Sequence, residues 1–190
     1  MDDQQIGTYH LADNPQIYEI QRSNNFEFIL TDLDGLIRTG TQGTEDNATF
    51  KNAQEVLKIS VLSSSVPHFS QGVIELKRGN STIKYAGVPT FGAGSVVFQD
   101  FIGADTQGIL DAWQALSYNV LTQKVGTADK YKKDAYLIEY TPDYKKVRQF
   151  RLHGCWISEL SEDTFSHEDN NKHTITATIQ YDRAEIDLSE

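Results

Sequence analysis

Between residues 67 and 118 the chain passes through short stretches in which apolar and polar side chains alternate, split by polar turns. It then enters one segment whose apolar residues recur every three or four positions. Alternation is the period of a strand and the wider recurrence that of a helix, so this order leaves few architectures open. Residues 72–78 and 81–87 flank Gly79-Asn80, a pair able to supply the positive φ of a tight hairpin turn. A further strand follows over 95–101 (SVVFQDF). Asp105 or Thr106 can then cap a helix over 105–119, with Ile109, Ala112, Trp113 and Leu116 as its buried stripe. Trp113 reads as core packing. The region is thus a hairpin, a strand and a helix that covers a sheet.

The rest of the chain adds strands. NNFEFIL, residues 24–30, puts Phe26, Phe28 and Leu30 on one face, and VLKISVLSS, 56–64, reads as a second strand. Between them, residues 31–52 are rich in Gly, Thr, Asp and Asn, too long and polar for an ordinary connection. Such a loop is either unstructured or a contact element. Residues 126–133 read as a basic loop, 135–140 and 147–153 as strands, and Pro142-Asp143 as a turn. The closing strand, 173–182, sets Ile175, Ala177, Ile179 and Tyr181 on one face and Thr174, Thr176, Thr178 and Gln180 on the other. One face can meet a core while the other meets solvent or a partner. Residues 1–23 read as an arm that does not fold alone, and 24–190 as one domain. Many strands and one helix predict a mainly β fold: a two-sheet β-sandwich or barrel flanked by an α-helix. Its sheet edges must be covered or used for assembly.

Composition narrows the functional classes. The formal charge of -10 opposes a phosphate-binding surface but not a surface that DNA passes without sticking; solubility alone also accounts for it. The polar, acidic start MDDQQIGTYH shows no secretory signal, and no apolar run is long enough to cross a bilayer. A single cysteine, Cys155, excludes an internal disulfide and fits a reducing compartment during folding.

Candidate chemistry is sparse. Among His10, His68, His153, His167 and His173 no pair has helical ligand spacing, and the acidic turn SHEDNNKH lacks the calcium-loop pattern. His153 lies two residues before Cys155, so on a strand the pair would share a face, with no third group to orient them. A packed, structural Cys155 is the expectation. No nucleophile elbow, phosphate loop or dinucleotide loop is present. No catalytic, cofactor-binding or metal-ligating residue is therefore assigned, and no enzymatic activity is expected.

The ordered blocks NNFEFIL, VPHFSQGVIELKRGNSTIKYAG, VVFQDF with ILDAWQAL, DKYKKDAYLIEYTPDYKKVRQFRLHGCWISEL and HTITATIQYDRA resemble a phage tail tube protein of contractile-tailed viruses. The type VI secretion inner tube shares that fold. The resemblance covers about 24–183 and rests on feature order, not on one rigid motif. It implies hexameric rings that stack into a hollow tube, conducting DNA and scaffolding a contractile sheath. Implied partners are further copies of the chain, tail sheath protein, baseplate and tail-terminator proteins, a tape-measure protein in the lumen, and DNA in transit without specific binding. No cofactor and no membrane anchor are implied, and the place is a virion tail assembled in the host bacterial cytoplasm. Inter-ring contacts would fall on the arm and on Asp34, Gly35, Arg38, Thr41, Glu45 and Asp46. The sheath would meet Asp105, Gln107, Asp111 and Gln114 on the helix, while Phe26, Phe28, Trp113, Ile175, Ile179 and Tyr181 would form the core. Two further readings stay open: the inner tube of a secretion or bacteriocin-like injection system, and a monomeric β-sandwich that binds a ligand such as carbohydrate.

Overall fold

The computed structural model describes residues 20–37, 49–168 and 171–187. Strand β1 (Phe26–Leu30) is followed by a two-stranded pair, β2 (Leu36–Ile37) and β3 (Thr49–Phe50), then helix α1 (Ala53–Ser60) and β4 (Val61–Ser64). A long hairpin, β5 (Phe69–Arg78) and β6 (Ser81–Phe91), leads to β7 (Gly94–Gln99) and helix α2 (Thr106–Ser117). Then come β8 (Tyr118–Asn119), β9 (Lys124–Val125), the one-turn α3 (Ala128–Tyr131), β10 (Lys133–Tyr140), β11 (Lys146–Glu162), β12 (Thr174–Gln180) and β13 (Arg183–Asp187). The fold is mainly β, as its alternating segments predict.

One antiparallel sheet runs β1-β10-β11-β12-β7-β4, with β13 also paired to β11. The first half of β11 pairs with β10 and β13, and its second half pairs with β12. β12 and β13 lie in line along one edge of β11, interrupted at Tyr181 and Asp182. The ribbon thereby passes from one layer (β1, β10, β11, β13) into the other (β11, β12, β7, β4).

Gly154 makes that passage possible. Before it, Phe150 and Leu152 are buried; after it, Cys155 and Ile157 are, so the buried parity switches from even to odd. An extra residue in a strand produces this switch, and Gly154 supplies it at φ +67°. A Cβ there would collide with the Asp182 carboxylate. This overturns the expectation that His153 and Cys155 share a face, and it carries the strand well past 153.

Other boundaries also differ from the sequence reading. Residues 56–64 are not one strand. Ala53, Leu57 and Ser60 are buried at helical spacing, Val56 is half-buried beside them, and the Ser60 hydroxyl donates to the Val56 carbonyl at 2.5 Å. The upstream helix formers Ala53, Gln54 and Glu55 decide against the β-branched residues Val56 and Ile59. The expected single helix is thus joined by α1 and α3, and α3 takes four residues of the expected basic loop. The strand over 173–182 is not the last, because β13 continues its line. Within the expected 31–52 loop, β2 pairs with β3.

Both layers and the helices share one core. Phe28, Leu30, Phe98, Leu137, Ile157, Ile175 and Ile179 meet Ile109, Leu110 and Trp113 of α2 there. Leu110 joins the helix stripe, while Leu116 and Phe26 pack at its margin, half-buried. Fully burying each large apolar side chain contributes about 1.5–3 kcal/mol. The Trp113 indole N–H donates to the Tyr131 carbonyl at 3.0 Å, so α3 satisfies the core's largest side chain.

Candidate assembly interface

Among the described residues, the β5–β6 hairpin has no core beneath it. Every residue of β5 is exposed, and β6 is exposed except at Gly87 and Phe91. The register pairs Ile74 with Tyr85 and Leu76 with Ile83, so all four side chains share one face. Each is 40–58% exposed. The opposite face carries Val73, Lys77, Thr82 and the ion pair of Lys84 with Glu75 at 3.5 Å. The hairpin is therefore amphipathic. Ten residues of β5 reach about 30 Å.

Its geometry is locally determined. At the tip, Gly79 has φ +58° and Asn80 does not share a positive φ, the pattern of a two-residue hairpin turn with glycine first. Near the base the register slips between Gln71 and Val73. There the backbones come so close that a Cβ on Gly87 would lie 2.8 Å from the Gly72 carbonyl oxygen. The root is fixed to the body by aromatic contacts, Phe69 to Phe91 at 5.8 Å and Phe91 to Tyr181 at 6.1 Å. The Tyr181 hydroxyl donates to the His68 carbonyl and accepts from the His68 N–H.

A second feature is a groove of about 640 Å³ between the start of β1 and β4, lined by residues that include Phe26, Leu62, Ser64, Val66, Leu137 and Glu139. β1 and β4 are the two ends of the sheet path and do not pair with each other. The Tyr140 N–H donates to the Asn25 carbonyl, and the Thr31 N–H to the Asp134 carbonyl. The odd-numbered residues of β1 thus turn their backbone groups toward β10, and Phe26 and Phe28 turn theirs outward.

The residues expected to contact other copies or a sheath have local roles where the structure describes them. Asp34 Oδ1 accepts the Gln54 N–H at 3.2 Å and so caps α1, and Gly35, at φ +83°, donates to the Phe50 carbonyl at 2.8 Å. Arg38, Thr41, Glu45 and Asp46, and the arm through residue 19, lie outside the described residues. On α2, Asp105 is the N-cap and accepts from the Gly108 N–H at 3.1 Å. Gln107 is half-buried and donates to Glu162 at 2.5 Å, and Gln114 is half-buried. Asp111 is exposed. Partial burial, and then the nearby charges of Glu162 and Asp105, hold its carboxyl above the ordinary range. Phe28, Trp113, Ile175, Ile179 and Tyr181 are buried.

Titratable groups gather where β10, β11 and β13 meet. Asp134 lies 3.2 Å from Arg151 and 3.5 Å from His153 Nδ1, and His153 Nε2 is 2.8 Å from Glu185. Burial works against Asp134 ionisation, but Arg151, the Gly154 N–H and His153 together hold its carboxyl below the usual range. The cluster ties an edge strand to the sheet. Cys155 is fully buried, which pushes its thiol up to about 12 and leaves it unreactive at neutral pH. Among the described residues no three His, Cys, Asp or Glu side chains converge as metal ligands, and no helix is long and apolar enough to cross a membrane.

The sequence reading found the hairpin and its turn but not its exposure. The available signal is local charge: residues 69–91 carry Lys77, Arg78 and Lys84 against Glu75, a net +2 in a chain of -10.

No family model and no curated protein matches the chain. Solved structures do match in fold. The tube-terminating cap of the anti-feeding prophage superposes with a TM-score of 0.63 at 13% identity, covering 95% of this chain and 99% of that one. A chain of the sheath-tube complex of the extracellular contractile injection system PVC gives 0.62 at 14%, covering 98% of each. A chain of that system's sheath/tube terminator gives 0.61 at 17%, covering 90% of this chain and 98% of that one. The chain therefore has the fold found in tube and cap components of contractile injection systems.

Proposed function

We propose that this chain is a non-enzymatic structural subunit of the tube of a contractile tail or injection machine. Copies close into rings, hexameric as the resemblance implies, and the rings stack. The observation that carries this reading is the β5–β6 hairpin. An isolated two-stranded hairpin is marginal in water, and this one also exposes Ile74, Leu76, Ile83 and Tyr85 on one face. Such an element gains its stability in an assembly. Free sheet edges in the body lead to the same conclusion.

In the viral version the tube conducts DNA, and the charge of -10 suits a duct that does not retain phosphates. A tape-measure protein would occupy the lumen before DNA, and baseplate and terminator proteins would close the ends. The inner tube of an extracellular injection system is a second reading, favoured because the similar solved chains come from such systems. We assign inter-ring contacts to residues 38–46 and the arm, and sheath contact to the α2 face around Asp111. Asp34 and Asp105 already cap helices, so Asp111→Lys and deletion of 38–46 are the variants for electron microscopy. Normal sheathed tubes from either would remove its assignment.

Negative-stain microscopy of concentrated protein tests the central reading. Rings or tubes are expected from the wild type. The pair Ile74→Ser and Ile83→Ser should abolish them while leaving a folded monomer, because neither side chain reaches the core. A wild-type protein that stays a monomer at high concentration favours the ligand-binding module instead, and normal tubes from the double variant would remove the hairpin from the interface.

A further inference from the structure

We infer that the groove between β1 and β4 is the socket that receives the β5–β6 hairpin of a second copy. This rests on the tube-subunit reading and names the acceptor surface within it. The groove offers two things an extended segment needs. Among the described residues its walls hold strand edges without partners: the backbone groups of Phe26 and Phe28 point away from β10, and β4 ends the sheet path. Ser64 of β4 lies opposite Val96, while Ser63 lies opposite Val97 and the Ser65 N–H donates to the Ser95 carbonyl of β7, so the backbone groups of Ser64 also face outward. The lining is largely apolar, through Phe26, Leu62, Val66 and Leu137.

The hairpin supplies the counterpart. Among the described residues it is a separate two-stranded sheet with a free outer edge on each strand, and its Ile74, Leu76, Ile83 and Tyr85 face lacks a cover. Strand addition to an open edge gives backbone hydrogen bonds, and the apolar face gives fit. Charge agrees. The hairpin carries +2, so the remainder of a chain of -10 carries -12, and a basic hairpin is drawn to the body of another copy. Donor and acceptor are different surfaces of one chain. Association through them is heterologous and propagates around a ring or along a stack instead of stopping at a two-fold dimer.

The competing occupant is the segment 1–19, which leads directly into the groove-lining Gln21 and Arg22. Cysteine pairing separates the two. Copies carrying Leu62→Cys are mixed with copies carrying Ile83→Cys or Leu76→Cys, assembled and oxidised; Cys155 is buried and does not compete. A disulfide forms only where Cα atoms come within about 7 Å. Disulfide-linked dimers are expected from either apolar-face partner, and none from Lys84→Cys on the opposite face. All four positions are half-buried or exposed, so folding is retained. Assembly without a crosslink at either apolar-face position overturns the socket, as does crosslinking of Leu62→Cys to Ile6→Cys instead. Absence of any assembly by the wild type sinks the tube reading itself, a result visible before oxidation.

Discussion

β12 and β6 carry the same period-two alternation to opposite ends. In β12, Ile175, Ala177 and Ile179 are buried to 2% exposure or less; in β6, Ile83 and Tyr85 stand 40% and 53% exposed. Local pattern fixes that a segment is a strand and which residues share a face. It does not fix whether anything lies over that face. In β12 the cover comes from within the chain, from α2 and the opposing layer. In the hairpin none of the described residues supplies it; on the proposed reading another copy does, so the same pattern serves folding in one place and assembly in the other.

One substitution made in both strands tests this most strongly. Ile179→Ala should cost about 2–5 kcal/mol through lost burial and a cavity, lowering Tm by on the order of 10 °C in a chain of this size. Ile83→Ala should leave monomer stability within about 0.5 kcal/mol and act on assembly alone. Thermal unfolding followed by circular dichroism, on protein dilute enough to stay monomeric, reads both. Equal losses would mean that the hairpin packs on its own body in solution, and the comparison would collapse.

A smaller effect is expected where the ribbon changes layers. Gly154→Ala places a Cβ against the Asp182 carboxylate at a residue with φ +67°. Asp182 is held by Lys132 at 2.6 Å, so it yields only by weakening that pair. A cost of about 1–3 kcal/mol follows. It should appear in monomer melting, unlike any hairpin effect. A variant as stable as the wild type would show that β11 turns without the glycine.

How much of this was legible in the sequence follows from the range of the determining interactions. The hairpin turn at Gly79-Asn80, the cap at Asp105, the α2 stripe and the buried face of β12 are set within a few residues, and sequence patterns carry them. α1 was hidden because Val56, Ile59 and Val61 imitate a strand, and its burial depends on a neighbour distant in sequence, β1. The parity switch at Gly154 was hidden because a bulge is one residue in an otherwise regular alternation. The exposure of the hairpin and the β1/β4 groove depend on which strands end the sheet, a property of the whole topology. Asp34 drew attention as a loop carboxylate, yet it accepts a helix N–H from Gln54, a partner 20 residues on.

The smallest expected effect concerns pH and the cluster that ties β13 to β11. The Asp134 carboxyl is held below its usual range in the folded chain, against burial, by Arg151, the Gly154 N–H and His153; that of Glu185 is held low first by its hydrogen bond to His153. A carboxyl depressed on folding adds stability above its unfolded value, roughly 3.9 for Asp and 4.3 for Glu. That stability is lost as pH falls through the folded value, because the unfolded chain then takes up the proton first. Wild-type Tm should therefore fall on acidification below about pH 4. Asp134→Asn should begin slightly less stable at pH 7 and fall less steeply over the same range, since one of the groups that drives the slope is gone. Both carboxyls are at least partly exposed, so screening keeps the effect small. Lys84→Gln, which removes the hairpin's exposed ion pair with Glu75, should leave the acid limb of the monomer unchanged. Acid limbs that coincide for wild type and Asp134→Asn would show that the cluster contributes nothing to holding the edge strand. An acid limb that moves with Lys84→Gln would show that the hairpin is coupled to the body, against the contrast with β12.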